Sequence, residues 1–242
     1  KLEMSLKKKM IEVYTKTSAS DIKDLEGGLN ISLSNGKVVE ADRVLISVGR
    51  TPNISGFGLE ELNLKIEKNA IWVDKFMKTS INGIYAAGDV IGGLMLAHVA
   101  THEAISVVEG IIGKPNALDY TFMPSCIYTE PEVASVGLSE DAAKAISEIE
   151  VSKIPLTALG KAQAIEKTEG FIKIICQKAT KKILGVHIMS HNASDLISEA
   201  TLAMRNGLTV ENIKNTVHPH PSMSEAIMEA AFGALKEGIH IL

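Results

Sequence analysis

The residues best suited to chemistry lie near the end of the chain, in Val217-His218-Pro219-His220-Pro221-Ser222-Met223-Ser224-Glu225. Proline fixes φ and disfavours helix in the residue before it. His220 therefore stands on a stiff, non-helical segment just ahead of a helix that begins near Ser222. A histidine mounted this way suits proton transfer near pH 7. Glu225 follows inside the first helical turn, where its carboxylate could bond Nδ1 of His220, fix the tautomer and stabilise the imidazolium. The same spacing, Ser222-x-x-Glu225, is a capping box in which the glutamate turns back to its own backbone. Spacing alone serves both readings.

Three other groupings invite chemistry. Ala87-Gly88-Asp89 ends an apolar run, and a carboxylate at the C-terminal end of a buried strand is where α/β sheets meet their ligands. An Asp there also caps turns. Met95-Leu96-Ala97-His98 opens a long helix, whose free N–H groups and partial positive charge could sit under an electron-rich ligand edge. His98 and His102 share a helix face beside Glu103, but HxxxHE is not HExxH and no third ligand is spaced to join them. Solvent-facing histidines, and no metal, are expected. Cys126 and Cys176 stand 50 apart in apolar runs, read as buried inert thiols.

These residues need elements to hold them. Leu2, Leu6 and Met10 keep helical spacing over residues 2–10. Strands are expected over Ile11–Ser18, Leu29–Leu33 and Lys37–Glu40, the last two joined by the hairpin pair Asn35-Gly36. Asp42–Val48 reads as a buried strand that stops at Gly49-Arg50-Thr51-Pro52-Asn53. Ile71–Val73 reads as a short strand and Gly83–Asp89 as a further one. A helix over Leu96–Ile112 would bury Leu96, Ala100, Ala104, Val107, Val108 and Ile111 and close at Gly113. Beyond Pro115–Asp119 the pattern becomes α+β. Strands are expected over Ser125–Thr129, Val133–Gly137, Ile149–Pro155, Phe171–Gln177 and Ile183–Ser190. Helices are expected over Ser139–Ile146, Asn192–Asn206 and Ser222–Lys236, so a mixed sheet is covered on one side.

The chain as a whole limits what these parts can do. Its 242 residues suit one large domain or two modest ones. Hydrophobic residues at 45% supply a packed core, so wholesale disorder is excluded. A net charge of −4 leaves no basic surplus for nucleic acid. No apolar run is long enough to cross a membrane, and two distant cysteines exclude a disulfide-framed secreted domain. The chain begins Lys1-Leu2-Glu3 and reads as a piece of something longer.

Four motifs in order carry a resemblance over essentially the whole chain: residues 42–53 (DRVLISVGRTPN), 79–113 (opening TSINGIYAAGDVIGGLMLAHVATHEA), 124–138 (PSCIYTEPEVASVGL) and 218–225 (HPHPSMSE). Together the chain resembles the FAD-dependent pyridine-nucleotide disulfide oxidoreductases. The Leu-Ala-His of 96–98 and the His-x-His-Pro-x-x-Ser-Glu of 218–225 favour the branch that oxidises dihydrolipoamide with NAD over glutathione-reductase-like relatives. Pro219 stands where Ala is frequent, and Ser222-Met223 where Thr-Leu is frequent; both keep the geometry.

The resemblance implies a fold class of α/β and α+β: the C-terminal remainder of Rossmann-like FAD and NAD domains, then an α+β interface domain with a mixed, largely antiparallel sheet. Residues 1–52 would end the NAD-binding domain, 53–118 would complete the FAD site, and 119–242 would form the dimerisation domain. Asp89 would bond the flavin ribitol. Met95, Leu96, Ala97 and His98 would line the isoalloxazine, with the Ala97 N–H toward its N1/O2 edge. His220 would be the acid–base for dihydrolipoamide thiols, oriented by Glu225, and would act on the redox pair of the other subunit. Implied cofactors are FAD and NAD. Implied partners are a second copy and the lipoyl domains of a 2-oxo acid dehydrogenase complex, in the cytoplasm. With no CxxxxC pair and no Gly-x-Gly-x-x-Gly loop in these residues, the chain alone is expected to be inactive, and a bare dimerisation module is the alternative reading.

Overall fold

A computed structural model of the chain describes residues 1–239. Contacts group them into two compact units: Lys1–Val13 with the residues from Tyr120 onward, and Tyr14–Asp119. The chain opens in the first of these with α1 (Leu2–Lys8), whose Ser5 is buried and donates to Glu169 Oε2 at 3.1 Å.

The Tyr14–Asp119 unit begins with an antiparallel meander of β1 (Ala19–Leu25), β2 (Gly28–Leu33) and β3 (Val38–Ala41). Leu25 pairs with Gly28 across a two-residue turn in which Gly27 takes φ +99°, as a tight hairpin requires. The expected strand at Ile11–Ser18 is displaced to β1. Every residue of β1 is exposed, so its polar sequence carries no alternation to betray it. β4 (Ile66–Glu67) and β5 (Ala70–Ile71) form a second, short hairpin.

Two apolar readings are corrected here. Asp42–Val48 forms no strand, and Leu45 and Val48 are 90% and 93% exposed. A continuous apolar run becomes a buried strand only with ladder partners on its edges, and none of the described strands pairs with it. Gly83–Asp89 likewise forms no strand. It makes one bridge, Lys78 with Tyr85, and then a 3-10 turn over Gly88–Ile91.

The long helix, α2 (Ala97–Ile111), ends where expected, with Gly113 at φ +81°. Its buried face is not the apolar stripe. Val99, Glu103 and Ser106 are buried, whereas Val108 and Ile111 are more than half exposed. Hydrogen bonds select that face: Glu103 accepts from Gly88 N–H, and Ser106 Oγ donates to the Asn116 carbonyl.

The other unit is built on a five-stranded sheet, β6 (Ser125–Ile127), β7 (Glu132–Gly137), β8 (Ile149–Pro155), β9 (Phe171–Gln177) and β10 (Ile183–Ser190), in the order β6-β7-β10-β9-β8. All its ladders are antiparallel. Three of the five strands fall on the expected residues and the other two shift only at one end. Between them run α3 (Glu140–Lys144), capped by Ser139 Oγ, and α4 (Gly160–Ala164). α5 (Ala193–Arg205), α6 (Val210–Lys214) and α7 (Glu225–Ala234) follow. α5 packs over β7 and β10, and α7 over β8 and β9.

The alternation of β9 and β10 sends Ile172, Ile174, Val186 and Ile188 to the helix side, where they meet Ile197, Ala200, Ile227 and Ala230. Each fully buried aliphatic side chain contributes about 1.5–3 kcal/mol, so this layer fixes the two helices that carry Glu199 and Glu225. At Gly185 a Cβ would lie 2.1 Å from the Leu138 carbonyl oxygen. The close approach of β10 to the segment after β7 therefore requires glycine.

Candidate functional site

The C-terminal unit brings His220 and Glu225 together. Nδ1 of His220 lies 2.8 Å from Oε1 of Glu225, and the backbone N–H of Ser222 donates to Oε2 at 2.7 Å. Oε2 accepts from that N–H; with Glu225 ionised, Oε1 accepts as well and Nδ1 is the donor. Glu225 thus reaches both His220 and the Ser222 backbone, one on each oxygen, but Ser222 is not the helix N-cap and the expected capping box does not form. The helix starts later than expected, at Glu225 with Ser224 as N-cap, and Ser222 Oγ meets Ser224 Oγ at 2.9 Å. The Glu225 side chain is 11% exposed and that of His220 78%. A buried anion thus orients an open ring whose Nε2 faces solvent.

Two residues beyond the expected pair join this cluster. His218 is 4% exposed at its side chain, with Nε2 2.9 Å from Oε1 of Glu199 on α5 and Nδ1 2.9 Å from the Thr216 carbonyl. The signal available beforehand was the repeated His-Pro in HPHP. The glutamate lies 19 residues earlier, too far for spacing to find.

The Tyr14–Asp119 unit holds the other expected residues. Asp89 is the second residue of the 3-10 turn and its Oδ2 accepts from Arg50 Nε at 2.5 Å. Arg50 comes from the Gly-Arg-Thr-Pro-Asn loop, so two of the four motifs meet at this pair. Both side chains are substantially exposed, and the ion pair is worth about 0–1 kcal/mol. Gly88 takes φ +79°, and a Cβ there would lie 3.2 Å from Ala100 Cβ. Its N–H donates at 2.7 Å to Oε2 of Glu103, a carboxylate only 3% exposed. The sequence sets Glu103 beside the histidines; in the structure its carboxylate lies under the Asp89 turn.

Met95 takes φ +45°, and Leu96, the N-cap of α2, makes no side-chain cap bond. The first helical hydrogen bond runs from Ala100 N–H to the Leu96 carbonyl. Ala97 heads the helix, where N–H groups and the dipole favour an electron-rich ligand. His98 and His102 are exposed. Among the described residues no group of three or more His, Cys, Asp or Glu side chains is placed to hold a metal. No helix among them is long and apolar enough to cross a membrane.

Both cysteines are free. Burial pushes the Cys176 thiol up to about 11. Burial, with the Glu132 carboxylate adding to it, also raises that of Cys126. Neither is a poised thiolate.

Residues 1–104 match the family described as pyridine nucleotide-disulphide oxidoreductase, and residues 123–231 match the dimerisation domain of the same family. The chain belongs to the pyridine nucleotide-disulphide oxidoreductases. Among its curated relatives, a dihydrolipoyl dehydrogenase of Bacillus subtilis is 43% identical over 246 residues, covering 99% of this chain and 52% of the relative. The mitochondrial dihydrolipoyl dehydrogenase of Pisum sativum is 41% identical, covering 99% and 49%. The crystal structure of LpdA from Mycobacterium tuberculosis superposes with a TM-score of 0.87 at 30% identity, over 95% of this chain and 51% of that one. The chain spans about half the length of the curated relatives it matches.

Proposed function

We propose that this chain carries the flavin-facing and acid–base parts of an NAD-dependent dihydrolipoyl dehydrogenase, which oxidises dihydrolipoamide to lipoamide and reduces NAD to NADH. The observation that carries the reading is the His220–Glu225 pair, with a buried carboxylate on Nδ1 and an exposed Nε2. The names of the most similar relatives support it.

His220 is assigned as the catalytic acid–base. Nε2 takes the proton of a dihydrolipoamide thiol, leaving a thiolate, the form that attacks a disulfide. Glu225 keeps the ring in the Nδ1–H tautomer and stabilises the imidazolium that forms. A positioned base of this kind contributes about 10²–10⁴-fold in rate.

FAD supplies the two-electron relay between disulfide and nicotinamide when bound. The residues present fit it. Asp89 offers carboxylate oxygens for ribitol hydroxyls, with Arg50 holding one of them. The start of α2, from Met95 and Leu96 to Ala97 and His98, has no side-chain cap from Leu96 and offers its positive dipole end to the electron-rich isoalloxazine edge. The same reading assigns 1–52 to the end of an NAD-binding domain and 53–118 to the segment completing the FAD site. It assigns 119–242 to a homodimer interface, and names lipoyl domains of a 2-oxo acid dehydrogenase complex as partners in the cytoplasm. The chain holds no CxxxxC pair and no Gly-x-Gly-x-x-Gly loop, and by itself should not turn over.

The purified chain, mixed with dihydrolipoamide and NAD, tests this last point: sustained NADH formation overturns it. Size-exclusion mass tests the second reading, a dimerisation module favoured by the match at 123–231. A well-folded, strictly monomeric chain removes that reading.

A further inference from the structure

We propose that His218 and Glu199 are positioning residues that clamp the mount of His220, an inference that rests on the acid–base reading of His220. The ring of His220 is 78% exposed, so packing does little to hold it, and Glu225 orients it from one side. For that 2.8 Å contact to persist, the backbone under the ring must be fixed from another side.

His218 supplies the second anchor. Its side chain is 4% exposed, and both ring nitrogens reach oxygen acceptors at 2.9 Å, Glu199 on α5 and the Thr216 carbonyl. Only Pro219 separates it from His220, and Pro221 follows. With φ fixed at two of these four residues, a shift at 218 passes to 220 instead of dissipating in the loop. The acid–base ring is thereby referenced to two helices packed on one sheet, α5 through Glu199 and α7 through Glu225. Catalytic side chains need such support, since a small displacement costs rate steeply.

Nitrogen-15 NMR of the 242-residue chain provides the test, because the neutral tautomer of His220 reports whether Glu225 still holds Nδ1–H. The wild-type ring is expected to be predominantly Nδ1–H. His218→Ala and Glu199→Ala should lose that predominance. Glu199→Gln, whose amide oxygen still accepts from Nε2 of His218, should keep it. Glu199 is one-third exposed, so its alanine variant keeps the test decisive if loss of the buried ring at 218 unfolds the chain. A folded alanine variant at either position that keeps the wild-type tautomer overturns the clamp, as does loss of the tautomer in Glu199→Gln. Failure of the acid–base reading is seen elsewhere: His220→Gln in the complete dehydrogenase would then leave dihydrolipoamide oxidation intact, whatever the tautomer in the isolated chain.

Discussion

The backbone N–H of Gly88 donates at 2.7 Å to a carboxylate oxygen of Glu103, a side chain withdrawn from solvent beneath the Asp89 turn. An acid fifteen residues further along the chain thus holds the left-handed glycine that aims Asp89. Glu103→Ala strands that amide without its acceptor, and a buried unsatisfied donor costs about 1–3 kcal/mol. Glu103→Gln keeps an oxygen and should cost less. Trp72, the single tryptophan, lies in the same unit, so its fluorescence in a denaturant titration checks this. An unchanged midpoint in Glu103→Ala would remove the anchor.

On the proposed acid–base reading, His220→Gln in the full-length protein is expected to lower dihydrolipoamide oxidation by about 10²–10⁴-fold with flavin content unchanged. Glu225→Gln should fall between it and wild type, since an amide can still receive Ser222 N–H yet stabilises the imidazolium less. Steady-state rates with an absorbance scan of bound flavin measure both; full activity in His220→Gln would remove the acid–base role.

His187 on β10 sets an acid limit to the stability of the C-terminal unit. Desolvation lowers its pKa below the ordinary 6.5, against an opposing hydrogen bond from the ring to the Leu138 carbonyl. A depressed value in the folded state means that its contribution is complete above 6.5 and is lost as pH falls through the folded value. Thermal unfolding across pH 7 to 4 should show a decline that His187→Gln flattens; identical slopes would exclude His187 as the cause.

Cys176 sets a limit at the other end. Its thiol is raised from 9.0 to about 11, chiefly by burial, so the unfolded chain ionises first as pH rises. The contribution is complete below 9 and is lost as pH rises through about 11. Alkylation at pH 8 should leave Cys176 unmodified in the folded chain and label it after denaturation, as peptide mass mapping would show. Rapid labelling without denaturant would contradict the burial.

The C-terminal unit was largely legible from sequence, and its partner unit much less so. β9 and β10 are buried on one or both faces, and their Ile- and Val-rich runs announce them. β1 is exposed along its whole length, so what places it is a glycine in a left-handed turn and a neighbouring strand, neither visible in its own residues. Asp42–Val48 misled in the opposite sense, because apolarity records a preference for burial and not the presence of something to be buried against. At the site, Glu225 was legible because it is five residues from its histidine. Glu199 and Arg50 were not, since each meets its partner through the fold.

α1 has a consequence in time as well as space. Glu130 and Glu169, which receive Lys9 and Ser5, come more than a hundred residues after it in the chain. At ordinary synthesis speeds that interval is on the order of ten seconds. Throughout it α1 lacks the partners that hold it in the folded unit. The contacts that seat α1 in its unit therefore form only after the strands and loops that follow it have been made.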